Sequence, residues 1–147
     1  MIADIEGKGM AVWTGNLRKG EGSVSLGSGV LHDEPYTFAT RFESASGTNP
    51  EELIAAAHAG CYSMAFANVL TKKGYQVDGL ATTATVHLAA QEGGGFAINK
   101  SDLQVRGRVP DIDGKTFKRL AEEADGACPV SNLLRPGLDI VVEATLA

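Results

Sequence analysis

The rhythm of apolar and polar positions changes twice along this 147-residue chain. Up to Phe42, short and partly alternating runs, Met10–Trp13, Gly22–Leu26 and Tyr36–Phe42, are separated by charged or glycine-rich stretches such as Arg18-Lys19-Gly20-Glu21. Alternation bounded by such turns predicts an antiparallel meander of three strands. Then the period becomes helical. Asn49-Pro50-Glu51-Glu52 carries the marks of a helix start: Asn49 as cap, Pro50 at the first helical position, and Glu52 three residues past the cap. Both acids favour the positive end of the helix dipole. Lys72-Lys73-Gly74 supplies a stop, so the helix is predicted to run to about Lys73. Its apolar residues, from Leu53 to Leu70, fall on nearly every face, which predicts a buried helix.

Beyond it a strand is predicted over Ala81–Leu88, then a Gly93-Gly94-Gly95 turn and two further strands, Phe96–Ile98 and Leu103–Val109. A second helix should occupy about Asp113–Asp125, stopped by Gly126, and a short third helix Pro129–Leu134. Leu138–Ala144 reads as a closing strand. With no internal repeat and no linker, residues 1–147 are expected to form a single α+β domain.

Composition narrows the function classes. A chain that is 44% hydrophobic and 21% charged suits one compact domain. Its net charge of −5 offers no basic field for a nucleic-acid backbone or an anionic membrane. Met1–Glu6 lacks the basic start and apolar stretch of a signal peptide. The most apolar segment, 53–70, is interrupted by His58, Ser63 and Asn68 and is shorter than a usual membrane span. A reducing cytoplasm is therefore the expected location. There a cysteine pair is catalytic, redox-active or simply buried rather than a structural staple.

The chain has two cysteines. Cys128 precedes Pro129 at a helix start, where free backbone N–H groups and the dipole favour a thiolate. Cys61 lies about eleven residues into its helix, beyond that reach, where a small core residue is the commoner role. By position alone Cys128 ranks ahead; Cys61 would need an imported positive charge to become reactive. His58, one turn before Cys61, reads as a satisfied core histidine or as the partner in a cysteine–histidine pair. No close pairing of cysteines and histidines supports zinc.

The stretch Gly47-Thr48-Asn49-Pro50-Glu51-Glu52-Leu53-Ile54-Ala55-Ala56-Ala57-His58-Ala59-Gly60-Cys61, with Ala127-Cys128-Pro129-Val130-Ser131 far downstream, resembles the OsmC/Ohr family of hydroperoxide reductases. The likeness extends to Trp13-Thr14-Gly15, Ser28–Leu31, Pro35-Tyr36 and Thr40-Arg41-Phe42-Glu43, and so covers essentially the full length. The Ala-His-Ala-Gly-Cys form is closer to the osmotically inducible OsmC branch than to the organic hydroperoxide resistance branch. Gly60 stands where relatives often carry alanine.

The resemblance implies an OsmC-like fold, with antiparallel sheets packed on a buried central helix in an intertwined homodimer. It implies that Cys61 is the peroxidatic cysteine and Cys128 the resolving one, reversing the order read from position. It further implies that Arg41 stabilises the thiolate with help from Glu51, while Arg18 stays a surface charge and Glu52 serves the helix cap. The expected cycle is peroxide attack by Cys61, a sulfenic acid, a Cys61–Cys128 disulfide and reduction by an external dithiol. Neither a cofactor nor a metal is expected. The apolar neighbours of Cys61 suit an organic hydroperoxide better than hydrogen peroxide.

Glu51 precedes Cys61 by ten residues, roughly 15 Å of helix, and points in another direction. The two cannot meet within one chain, so Glu51 is expected to come from the second subunit of a shared site. Two rivals remain open. One is a dithiol oxidoreductase acting on protein disulfides, which usually carries a Cys-x-x-Cys pair. The other is a non-catalytic stress protein that binds an apolar ligand or partner in the dimer groove.

Overall fold

The computed structural model describes residues 4–147. The chain divides into two compact units, one ending at Pro50 and the other spanning Glu51–Ala147. In the first, β1 (Gly9–Thr14), β2 (Glu21–Leu26) and β3 (Glu34–Tyr36) form an antiparallel sheet in that order. Trp13 of β1 and Tyr36 of β3 meet across β2 with ring centroids 5.4 Å apart. Gly22 makes that possible: a Cβ there would lie 2.7 Å from the Trp13 ring and 2.8 Å from the Tyr36 ring.

The third predicted strand is mostly a helix. After Tyr36 the chain turns into α1 (Phe38–Phe42), capped by Thr37. Thr37 and Thr40 close a reciprocal capping box, each hydroxyl accepting from the other's backbone N–H, at 2.9 and 3.3 Å. Two phenylalanines and two threonines read as a strand by propensity, but the Thr-x-x-Thr cap satisfies the local N–H groups and favours a single helical turn. Asn49, expected only as a cap, donates its side-chain amide to the Thr40 carbonyl at 3.2 Å.

The helix announced by Asn49-Pro50 is α2 (Pro50–Lys72). Downstream, β4 (Gly79–Ala90) and β5 (Phe96–Arg108) form a long hairpin. At its tip Gly93, Gly94 and Gly95 take φ of 86°, 105° and 84°, a left-handed run that other residues resist. The two strands predicted at Phe96–Ile98 and Leu103–Val109 are one. The polar run between them holds a β-bulge: His87 pairs with Lys100 and Leu88 with Ile98, leaving Asn99 over.

From β5 the chain crosses through α3 (Gly114–Ala127) and α4 (Pro129–Leu134) to β6 (Asp139–Leu146). β6 pairs with β5 in parallel, so this sheet, ordered β4-β5-β6, is mixed rather than antiparallel as expected. Parallel neighbours need a long crossover connection, and the segment through α3 and α4 supplies it.

The core of the second unit is built from Tyr62, Phe66, Val69 and Leu70 of α2, Leu103 and Val105 of β5, and Phe117, Leu120, Ala121 and Ala124 of α3. Phe66 and Phe117 stack at 5.1 Å, and the Tyr62 hydroxyl donates to the Ala121 carbonyl at 2.7 Å. Burial pushes the Tyr62 phenol well up. Helix α2 is not enclosed on every side as its composition predicted. One stripe, from Glu51 through His58, Tyr62 and Phe66 to Leu70, is buried; Ala56, Ala57, Gly60 and Met64 are exposed, Met64 by 77%. At 23 residues α2 is also longer than the 53–70 segment and, by length and composition alone, could cross a membrane. Its solvent-free, hydrogen-bonded His58 and Tyr62 mark it instead as the core helix of a folded unit.

Candidate active site

Ala127-Cys128-Pro129 is where α3 ends and α4 begins. A residue before proline is driven from the helical region, and Cys128 is extended at φ −87°, ψ 114°. Pro129 then takes the first helical position, where its missing N–H costs nothing. Cys128 serves both helices: its N–H donates to the Asp125 carbonyl at 3.2 Å, and its sulfur accepts from the Ser131 N–H at 3.5 Å. This is the helix-start setting read from the sequence. Cys128 is fully buried.

The stripe of α2 that enters the core carries His58 and Tyr62, and Cys61 lies at its margin, partly exposed. Cys61 packs against the core that holds Cys128 and has Cys128 and the Val130 amide as neighbours. Burial pushes the Cys61 thiol up; the Val130 amide pulls it back, and the neighbouring Cys128 pushes it up further. Both thiols are free. Of the adjacent amides at the start of α4, Ser131 donates to the Cys128 sulfur and Val130 faces Cys61, where it favours the thiolate.

His58 is wholly buried and satisfied on both ring nitrogens: Nδ1 lies 2.7 Å from Ser101 Oγ and Nε2 2.8 Å from Ser131 Oγ. Burial lowers its pKa most, Asp125 opposes and Arg135 adds to the lowering. Asp125 bonds Arg135 at 2.9 Å, tying the end of α3 to the end of α4 around the Cys128 turn. The second carboxylate oxygen of Asp125 is buried with no hydrogen-bond partner among the described residues.

Cys61 and Cys128 are therefore brought together. Glu51 is buried, 7% exposed, in the first turn of α2, and the helix runs unbroken from there to Cys61. Ten residues of it keep the two roughly 15 Å apart along the axis. Arg41 belongs to the other unit, in the last turn of α1 rather than on a strand, with its guanidinium 5.3 Å from the Phe42 ring. Arg18 is exposed and lies over the Phe38 ring at 5.0 Å. Sequence reasoning missed Ser101 and the part played by Ser131. The signal was an imidazole on an apolar helix, which demands polar partners but does not name them.

A partly exposed cysteine packed against the core that holds a buried one, on helices of an α+β unit, is an arrangement suited to thiol chemistry. Residues 43–143 match the family described as OsmC-like protein, a segment that takes in Glu51, Cys61 and Cys128 and begins just after Arg41. Over 131 residues the chain is 47% identical to peroxiredoxin OsmC of Escherichia coli, covering 89% of this chain and 91% of that one. The organic hydroperoxide resistance protein OhrB of Bacillus subtilis is 28% identical over 122 residues, 83% of this chain and 88% of the other. Its crystal structure superposes with a TM-score of 0.73 over 94% of this chain and 98% of that one. An organic hydroperoxide resistance protein from Elizabethkingia anophelis, 24% identical, shares the fold at a TM-score of 0.78 over the whole of both chains. The chain belongs to the OsmC-like family, and it is an enzyme, a peroxidase of the peroxiredoxin type. The higher identity to the OsmC relative agrees with the branch read from Ala-His-Ala-Gly-Cys.

Proposed function

We propose that this peroxidase reduces organic hydroperoxides to alcohols, with Cys61 as peroxidatic and Cys128 as resolving cysteine. The Cys61 thiolate attacks the distal peroxide oxygen, the O–O bond breaks, and the alkoxide leaves as alcohol on taking up a proton. Cys61 is then a sulfenic acid. Cys128 attacks its sulfur, the S–O bond breaks, and hydroxide leaves with the thiol proton as water. An external dithiol reopens the disulfide and is itself oxidised. A reducing cytoplasm supplies such dithiols, and the cycle uses neither metal nor cofactor.

One observation carries this reading: Cys61 packs against the core that contains Cys128, its neighbour, and Cys61 is partly open to solvent while Cys128 is buried. An oxidant arriving from outside meets Cys61 first, and the group within reach of the resulting sulfenic acid is Cys128. That contact has no purpose in a protein that merely binds an apolar ligand. The organic substrate is supported by the apolar side chains beside Cys61 and by the names of the hydroperoxide resistance relatives.

The chain alone raises the Cys61 pKa, so activation calls for a cation. We assign that part to Arg41, supported by Glu51, on the family resemblance. The working form we propose is a homodimer of single-domain chains with shared active sites. Ala56, Ala57, Gly60 and Met64 form an exposed face of small and apolar residues beside Cys61. A second copy seated there would place its atoms next to the reacting sulfur and could bring the Glu51 that the chain's own helix keeps away.

The deciding experiment is a steady-state panel of tert-butyl, cumene and hydrogen peroxide with lipoyl-type dithiol and thioredoxin as reductants. Turnover should be fastest with the organic peroxides. Equal or better kcat/KM for hydrogen peroxide would refute the substrate assignment, and turnover surviving the loss of both cysteines would refute the mechanism.

A further inference from the structure

We infer that His58 is a positioning residue for the second half of the cycle, holding Cys128 through Ser131 in the place from which it closes on Cys61. This rests on the two-cysteine mechanism proposed above. The observation behind it is a closed circuit of contacts. His58 and Cys61 are one turn apart on α2; Ser131 and Cys128 are one turn apart at the start of α4. His58 Nε2 meets Ser131 Oγ at 2.8 Å, the Ser131 N–H meets the Cys128 sulfur at 3.5 Å, and Cys61 packs against the core cluster that holds Cys128. The only side-chain bridge in the circuit other than the reacting thiols is His58–Ser131.

A histidine that merely fills the core would not need to join the two elements carrying the reacting sulfurs. This one also has its ring locked from behind, because Ser101 of β5 holds Nδ1 at 2.7 Å. A neutral imidazole offers one donor and one acceptor, and a serine hydroxyl can take either role, so both bonds persist whichever nitrogen carries the proton. Ser101 and Ser131 are themselves fully buried, which leaves them no water as an alternative partner. The link is therefore stiff. Stiffness matters most in the resolving step, in which Cys61–SOH and Cys128–SH lose water to form the S–S bond, because its rate follows how long the two sulfurs stay in line. Peroxide attack at Cys61 makes no such demand on α4.

The test measures the Cys61–Cys128 disulfide equilibrium of the full chain in mixtures of reduced and oxidised dithiothreitol, with no peroxide present. Ser131→Ala should lower the equilibrium constant for disulfide formation by about tenfold, a potential shift of about 30 mV. Ser131→Thr, which keeps the hydroxyl, should recover most of the loss. After one equivalent of cumene hydroperoxide, Ser131→Ala should also leave more Cys61 trappable as sulfenic acid than the native protein does. His58→Gln should lie between native and Ser131→Ala; if it fails to fold, the two serine variants decide the matter alone. A native equilibrium and native trapping in Ser131→Ala would overturn the inference, as would a Ser131→Thr variant no better than Ser131→Ala. Because the titration needs no peroxide, a native chain that forms the disulfide reversibly but consumes no hydroperoxide would sink the peroxidase mechanism while leaving this link standing.

Discussion

Cys61 and Cys128 are neighbours in the second unit, yet one is partly open to solvent and the other is sealed in the core. In the proposed cycle that asymmetry gives the order of events, because an oxidant from solvent meets the partly exposed Cys61 before the buried Cys128. The sealed thiol is held by the turn between α3 and α4, and the open one stands on α2, whose buried stripe enters the core.

Cys61→Ser should abolish peroxide turnover. Cys128→Ser should consume one equivalent without turning over, and under excess peroxide a second, slower equivalent should carry Cys61 from the sulfenic to the sulfinic acid. Single-turnover peroxide loss and intact-protein mass decide between them. A Cys61→Ser chain that still reduces one equivalent would reverse the two assignments.

Arg41→Ala should move the alkylation midpoint of Cys61 up by about one pH unit or more, since loss of an opposite charge disfavours the thiolate. Within the single chain burial pushes the Cys61 thiol up, the direction that Arg41 is proposed to oppose. At pH 7 the rate of iodoacetamide reaction should therefore fall by about tenfold for each unit gained. An unchanged pH profile would mean that another group activates the cysteine.

Met64→Lys, a charge on the exposed face of α2, should split the proposed dimer, read as a halved mass in analytical ultracentrifugation, and reduce turnover with it. In a mixed dimer carrying Glu51→Ala in one protomer and Cys61→Ser in its partner, about half the native activity should remain if each site borrows its glutamate across the two-fold axis. Loss of all activity would place Glu51 and Cys61 of one site in the same chain. A fully active native monomer would remove the shared site altogether.

Acid should loosen the second unit through His58. Its pKa in the folded chain is lowered from 6.5, so the unfolded chain binds the proton more readily. The resulting stability is complete above about pH 6.5 and declines as pH falls toward the folded value. Asp125 works against this and Arg135 with it. Thermal unfolding from pH 8 to pH 5 should show a falling midpoint, with a shallower fall in His58→Gln. Parallel curves for the two proteins would assign the acid response elsewhere.

Gly107→Val should destabilise the second unit by about 1–3 kcal/mol. Even a Cβ at this position would lie 2.6 Å from the Phe117 ring, which has no free space to retreat into. Urea unfolding measures it; a native midpoint would mean that α3 can shift on the sheet without cost.

The sequence by itself determined those features whose signals are local. The start of α2 lies in Pro50 and two following acids, its end in Lys72-Lys73-Gly74, and α4 was read to the residue from Pro129 to Leu134. Cap residues, proline geometry and glycine stops act within three or four positions, so they stand written in the chain in order. The family was legible in the Asn49–Cys61 and Cys128–Ser131 stretches. Tertiary structure decided the rest. It closed the strand across Asn99 with a bulge, because β4 offers partners on both sides of the polar run. It ran β6 parallel to β5, because two helices lie between them. It also gave His58 its serines, 43 and 73 residues away, and set Cys61 against Cys128. A buried imidazole must find hydrogen-bond partners, but which distant hydroxyls it finds depends on how helix, sheet and crossover pack, and no local pattern carries that information.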